Sequence, residues 1–258
     1  MKRVLSSQLP AKGHPTQLGA DESRHVLQVL RLRNGDPIEV IDGQGHAVLA
    51  RLLLRGKDAW VELDDRPELN PGPTTIDPAR AAVIPVVLEL AVLKGDAMEW
   101  AIEKAVELGI QKLIPLLTAH TVVQMDRKGP EAFRERWQKI ADQALKQCGR
   151  LQKLELALPI PLVEYLEAEP SHPSAPRLWF DESATHQAPD LALWLSQPRK
   201  LTGIRLLVGP EGGWSQIEKS LLSPSTERIS LGPLILRAET AALYGISLTS
   251  AYFRSRNS

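Results

Sequence analysis

"LLVGPEGGW", Leu206 to Trp214, and "ISLGPLILRAETAAL", Ile229 to Leu243, follow one grammar. In each, an apolar strand-like run meets a Gly-Pro bend and then a helix start. Ser215 and Glu218 carry capping-box spacing, which marks where the first of these helices begins. A glycine bend before a helix commonly holds a phosphate, but that reading fails here. There is no G-x-x-x-x-G-K-[ST], no G-x-G-x-x-G, and no Lys or Arg between Gly209 and Gly213. Glu211 would also set a negative charge beside an anion. Two readings stay open: a turn and helix cap alone, or a close approach of backbone to a flat, uncharged ligand. In the second, free N–H and C=O groups bond the ligand's edge, and Leu231, Leu234, Ile235 and Leu236 cover its faces. Two such bends together suit an adenine ring better than a triphosphate.

Working outward, "VVLELAVLKG", "LIPLLT", "KLELAL", "RLWFDE", "IRLLVG" and "RISLG" read as strands separated by helical pieces. In "DAMEWAIEKAVELG", Met98, Ile102 and Ala105 form an apolar stripe, Asp96 and Glu99 have capping spacing, and Gly109 is the stop. In "PEAFRERWQKIADQALKQCG", Phe133, Trp137, Ile140, Ala144 and Cys148 share a face. Alternating β and α units predict an α/β fold with a mainly parallel sheet, binding its ligand beyond the strand ends "WFDES", "LVGPEGG" and "SLGPLIL". Before residue 66 the pattern is different. "PIEVIDGQGHAVLARLLLRGKDAW" alternates with period two around glycine turns, which predicts an antiparallel meander, a small barrel, with one short inserted helix capped by Asp21. "RPELNPGPTTIDPAR" between the two parts reads as a proline-rich linker.

The chain has 258 residues with 43% hydrophobic content, enough for two cored domains and too apolar for disorder. The N-terminal stretch lacks the apolar segment of a signal peptide, and the single cysteine, Cys148, fits a reducing compartment, so a cytoplasmic location is expected. Neither a membrane-length apolar run nor a His/Cys cluster with metal-ligand spacing is present in the sequence, so no membrane or metal partner is expected. Net charge is zero, yet Arg127, Lys128, Arg134, Arg136, Lys139, Lys146, Arg150 and Lys153 are opposed locally only by Glu131, Glu135 and Asp142. That segment is either a solvated helix face or a phosphate-contacting one.

"VGPEGGWSQIE" followed by "SLGPLILRAETAAL" resembles the RsmE family, methyltransferases of small-subunit ribosomal RNA within the SPOUT superfamily. "HVLQVLRLRNGDPIEVIDGQG", "LKGDAMEWAIEKAVELGIQKLIPLLT" and "ALKQCGR" extend the resemblance, in the expected order, over most of the chain. The resemblance implies a PUA-like β-barrel domain at residues 1–73 and a SPOUT methyltransferase domain at 74–258, with a deep trefoil knot at about 176–250. It further implies S-adenosyl-L-methionine as cofactor, N3 of one uridine of 16S ribosomal RNA in the small ribosomal subunit as target, and a homodimer. Its cofactor pocket would be walled by Phe180, Val208, Gly209, Pro210, Gly212 and Gly213 on one side. Leu231, Gly232, Leu234, Ile235, Leu236, Arg237 and Thr240 would form the other.

Uridine N3 becomes a nucleophile once its proton leaves, with charge spreading to O2 and O4. Arg237, always charged, is the candidate anion stabiliser, with a structural ion pair to Glu239 or Glu211 as its alternative role. Glu211 and Glu239 are candidate proton acceptors, although Glu239 also suits the first turn of the last helix. Thr240 bonds the cofactor or caps that helix. Candidate RNA contacts are Arg3, Arg24, His25, Arg31, Arg33, Lys104 and Arg150, with surface or capping roles as their alternatives. His120 is a further titratable candidate, and a structural histidine is the commoner case. Where the family commonly has an Arg within L-G-x-R-I-L-R this chain has Leu234, and where it tends to Arg-Ser this chain has His120-Thr121. Methylation of another RNA position or of a ribose hydroxyl, and RNA binding without catalysis, are the rival readings.

Overall fold

The computed structural model describes residues 1–64, 78–123, 129–168, 174–184 and 188–256. The chain divides into two compact units, Met1–Ala82 with Asp142–Lys153, and Val83–Ala141 with Leu154–Ser258. Most of the proline-rich linker, including the 73/74 boundary, lies outside the described residues.

The first unit begins with β1 (Arg3–Leu5), β2 (Thr16–Gln17) and α1 (Ala20–Arg24), followed by β3 (Pro37–Ile41), β4 (Ala47–Arg55) and β5 (Asp58–Leu63). β3, β4 and β5 form the expected antiparallel meander, turning at Asp42–His46 and at Gly56-Lys57. β1 joins parallel to β3 and β2 antiparallel to β5, giving the order β1-β3-β4-β5-β2. Val4, Ile38, Val40, Leu52 and Val61 fill its core from the inward face of the strands, joined by Val26 from the inserted helix. The inserted helix departs from expectation. Its N-cap is Gly19, while Asp21 sits in the first turn, and beyond Arg24 the helix widens into a π-helical run over His25–Val29. Ser23, whose Oγ donates to Leu18 O at 3.2 Å, ties that first turn down instead of an aspartate cap. α2 (Pro78–Ala81) brings Arg80 onto Glu39, two near-parallel bonds of 2.8 and 2.9 Å, while Arg3 Nε donates to the same carboxylate at 2.6 Å.

The second unit runs β6 (Ile84–Ala91), α3 (Asp96–Glu107), β7 (Ile110–Leu117), α4 (Gly129–Cys148, whose residues from Asp142 onward belong to the first unit), β8 (Glu155–Leu156), β9 (Ile160–Pro161), α5 (Leu162–Ala168), β10 (Arg177–Phe180), α6 (Leu191–Ser196), β11 (Ile204–Val208), α7 (Gln216–Leu222), β12 (Glu227–Ile229) and α8 (Ala238–Arg254). Its strands pair in parallel in the order β12-β10-β11-β6-β7-β8, with β9 also beside β7. The α/β expectation is met. Strands covered on both faces need apolar residues at successive positions, and β10 is buried along its whole length. Asp96 does not cap α3: the N-cap is Gly95 at φ 60, a conformation that favours glycine, and Asp96 adds its charge to the first turn. Gly109, at φ 81, ends that helix as expected. On α4 the buried stripe is Trp137, Ala141, Ala144 and Leu145, and Cys148 is exposed. The i, i+4, i+7, i+8 row has rotated away from the cysteine in the last turn.

One charged cluster sits inside this sheet. Glu89 of β6 is fully buried, receives Arg177 Nε at 2.6 Å and Tyr165 Oη at 2.6 Å, and pairs with Arg205 Nε at 2.8 Å. Burial, followed by the Glu89 carboxylate, pushes the Tyr165 hydroxyl well above the ordinary phenol range, so it stays a donor.

Candidate functional site

Register places the site. Phe180 pairs with Val208 on one side and Ile229 on the other, and Val208 pairs with Leu90, so β12, β10, β11 and β6 end level with one another. Beyond those carboxyl ends opens a cavity of about 900 Å³. All three strand ends read from the sequence contribute to it, through Phe180, Val208–Gly213, Ile229–Gly232 and Leu234–Arg237. Parallel strands leave their last carbonyls and following turns on one edge, which is why ligand sites gather there.

The first wall is the bend Gly209–Gly213. Its shape needs glycine at two places. A Cβ on Gly209 would lie 2.8 Å from Cε2 of buried Trp214, and Gly213 adopts φ 67 with Glu182 Oε1 2.9 Å from where a Cβ would stand. The bend closes with Gly213 N–H donating to Pro210 O at 2.9 Å. It then enters α7 through a full capping box: Glu218 N–H donates to Ser215 Oγ and Ser215 N–H donates to the Glu218 carboxylate at 2.8 Å. The turn after β7 grips the same wall, with Ala119 N–H donating to Glu218 at 2.8 Å and His120 Nδ1 lying 3.0 and 2.9 Å from the carbonyl oxygens of Gly212 and Gly213.

The second wall is Leu231–Arg237. Gly232 takes φ 108, and its N–H donates to Ser230 Oγ at 3.2 Å. The main-chain groups of Leu234, Ile235 and Leu236 have no hydrogen-bond partner among the described residues, leaving donors and acceptors for a ligand edge. Leu234 and Ile235 are exposed, on the rim. Arg237 is the N-cap of α8 and faces the cavity, while Glu239 lies in that helix's first turn and also lines it. The floor is Phe180, against which α8 packs so closely that a Cβ on Gly245 would stand 2.5 Å from Cε2 of the ring.

Each residue read as pocket-forming lines this cavity apart from Thr240, which sits on the first turn of α8 without capping it. Arg237, Glu211 and Glu239 all line it. Lys94 and Gly95 from the β6–α3 turn, Ala97 at the start of α3, and Asp181 and Glu182 of the "WFDES" strand end line it too, none of them singled out from the sequence. "LKGDA" carries the same strand–glycine–helix grammar as the two bends, so the signal was there. Asp181 is buried. Burial raises its carboxyl pKa, but hydrogen bonds from Ser183 and Arg228, the latter at 2.6 Å, outweigh that and hold it below its ordinary value.

The basic candidates lie elsewhere on their own units. In the first unit Arg24 and Arg33 are exposed, and Arg31 takes φ 51, a left-handed conformation unusual for a side-chain-bearing residue. His25 has its pKa lowered, first by partial burial and then by Lys146. Arg3 is bound to Glu39, and Arg150 is buried, which pulls its pKa down to about 10. Lys104 on α3 is held by Glu103 at 2.8 Å and Glu107 at 2.9 Å, which raises its pKa. No His/Cys/Asp/Glu group suited to a metal ion occurs among the described residues, and no helix there is long and apolar enough to cross a membrane.

The family model described as an RNA methyltransferase domain matches residues 80–250, and an RNA methyltransferase PUA domain matches residues 18–61. The chain is 28% identical over 238 residues to the ribosomal RNA small subunit methyltransferase E of Bacillus subtilis, covering 89% of this chain and 87% of that protein. It is 32% identical over 235 residues to the Synechocystis protein of the same name, covering 90% and 71%. Among solved structures, a methyltransferase from Legionella pneumophila in complex with the cofactor SAM superposes with a TM-score of 0.83 at 26% identity, covering 96% of each chain. Ribosomal RNA small subunit methyltransferase E from Neisseria gonorrhoeae bound to S-adenosyl methionine does so with a TM-score of 0.77 at 27% identity, covering 97% of each. The chain therefore belongs to the ribosomal RNA small subunit methyltransferase E family.

Proposed function

We propose that this protein methylates N3 of one uridine in the 16S RNA of the small ribosomal subunit, with S-adenosyl-L-methionine as donor. The observation that carries this reading is the cavity made where three strand ends and two glycine bends converge. Its volume suits a nucleoside-sized ligand. Its acids, Asp181, Glu182, Glu211 and Glu239, outnumber its cations, Lys94 and Arg237, which favours a sulfonium and ammonium over a polyphosphate. Phe180, Val208, Ile229, Leu231 and Leu236 would hold the adenosyl part, and the unpaired main chain at Leu234–Leu236 would meet the polar edge of the ring.

When bound, S-adenosyl-L-methionine supplies an electrophilic methyl group. The chain's own residues prepare the nucleophile. Arg237 faces the negative charge that develops on the uridine oxygens as the N3 proton leaves. That proton goes to one of two carboxylates of the cavity, Glu211 or Glu239. Arg24, Arg31 and Arg33 of the first unit offer charges to RNA phosphates.

Around this chemistry we place a PUA-like barrel over residues 1–73 for RNA and a SPOUT domain over 74–258. The knot at about 176–250 is supported by chain order: β12 lies at the sheet edge, yet α8 returns to pack on β11 and β6. Exposed Leu234, Ile235 and Tyr244 support a homodimer, and RNA of the ribosome as substrate supports a cytoplasmic location. The test is methyl transfer from labelled donor to small subunits from a strain lacking the modification, with the product mapped by mass spectrometry. N3-methyluridine is expected. A ribose methyl group would refute the target, and no transfer together with no cofactor binding would leave an RNA-binding protein.

A further inference from the structure

His120 lies outside the cavity lining, yet it touches the cavity's first wall from behind. Its Nδ1 is 3.0 Å from Gly212 O and 2.9 Å from Gly213 O. Carbonyl oxygens only accept, so Nδ1 carries the proton and its N–H is shared between two consecutive carbonyls. The contact is steric as well: a Cβ on Gly212 would stand 3.0 Å from His120 Cβ. One residue earlier, Ala119 N–H binds buried Glu218, the residue that also caps α7. Thr118 and Thr121 rigidify the turn that presents His120, with Thr121 N–H donating to Thr118 O and Thr118 N–H donating to Thr121 Oγ1 at 3.0 Å.

Among the described residues, the bend is also tied by its internal bond, Gly213 N–H to Pro210 O, and by the Glu211 carboxylate on Lys94 N–H. Glycine-rich segments have many conformations to lose on ordering, so a bend of this composition needs outside restraint to keep one shape. We propose that His120 is a positioning residue for the cofactor site, its Nδ1–H clamping the Gly212 and Gly213 carbonyls and so holding the Gly209–Gly213 wall in the shape that receives S-adenosyl-L-methionine. The proposal rests on the cofactor reading given above. It predicts that His120 acts on cofactor affinity and leaves the chemical step alone.

The side chains of His and Asn place a donor nitrogen at the same bond distance from Cβ, whereas Ala has none. The full-length protein and its H120A and H120N variants are titrated calorimetrically with S-adenosyl-L-methionine, and backbone hydrogen exchange is followed over residues 206–218 without cofactor. H120A is expected to bind about five- to tenfold more weakly, the equivalent of one lost hydrogen bond. It should exchange the Gly213 amide, whose N–H is bonded to Pro210 O, about tenfold faster, from freer opening of the bend. H120N should restore both to within about twofold of the parent. At saturating cofactor, kcat of H120A should stay within about twofold of the parent while KM for cofactor rises. H120A with parental affinity and parental exchange overturns the proposal, and so does H120N as defective as H120A. If the parent protein itself takes up no cofactor, the cofactor reading falls, and the exchange comparison still decides whether His120 clamps the bend.

Discussion

Glu211 Oε1 accepts the main-chain N–H of Lys94 at 3.2 Å, joining the bend after β11 to the turn after β6 across the mouth of the cavity. The same carboxylate therefore has a mechanical task and a candidate chemical one. Gln keeps an acceptor oxygen for Lys94 and loses the charge, while Ala loses both. E211Q is expected to bind cofactor within about threefold of the parent and to lose about 100-fold in kcat, the scale of general-base removal. E211A should lose affinity as well. Single-turnover rates with titrated cofactor separate the two effects, and full activity in E211Q would move the proton to Glu239.

Arg237 stands at the N-cap of α8 without making a side-chain cap bond, so its removal leaves the helix's own hydrogen bonds intact. R237M is expected to cut kcat/KM for the RNA about 100-fold or more with little change in melting temperature, as for the loss of an oxyanion donor. Lysine, a point charge in place of a planar fork, should recover only part of this. Steady-state kinetics beside a thermal melt check both halves.

At Gly245 a methyl group would meet Phe180 at 2.5 Å, so G245A tests how tightly the last helix closes the floor. Overpacking of this kind costs about 1–3 kcal/mol. For a chain of this size that is a fall in melting temperature of roughly 2–4 °C per kcal/mol. Scanning calorimetry measures it, and cofactor affinity should drop in the same variant because Phe180 must move.

Glu39 and Asp181 both have carboxyl pKa values held below their ordinary 4.5 and 3.8, burial being outweighed by hydrogen bonds from Arg80 and Arg3 in one case, and from Ser183 and Arg228 in the other. A lowered folded value means that the unfolded chain binds protons more readily. The stabilisation is therefore complete above about pH 4.5 and is lost as pH falls through the folded values. Urea unfolding from pH 7 to pH 3 should show stability declining below about pH 4.5. R80M should flatten that decline by removing the bond that keeps Glu39 ionised.

Much of this site was readable because its parts are local. A strand, a glycine and a helix start are adjacent in the chain, so "LVGPEGG" and "SLGPLIL" announce themselves, as does the capping box of Ser215 and Glu218. Gly109 ends α3 for the same reason. What escaped were facts of register and distance. Asp181 and Glu182 reach the cavity because Phe180 pairs with Val208 and Ile229, and no spacing within "WFDES" encodes that. His120 meets Gly212 from 92 positions away. Asp21 and Asp96 were misplaced as caps because the backbone preferred the preceding glycines, Gly19 and Gly95, at the non-helical position. The row chosen on α4 ended on Cys148 because a short apolar stripe fits more than one rotation of a helix.

The sealed cluster of Glu89, Tyr165, Arg177 and Arg205 has a consequence for how the protein can change. A slip of any one central strand would strand an ion without its counterpart, a penalty of about 3–5 kcal/mol. The cluster thus works as a keyed lock on strand alignment, several residues upstream of the rim. With alignment secured from below, the rim segments are at liberty to diversify in sequence without disturbing the strands that carry them.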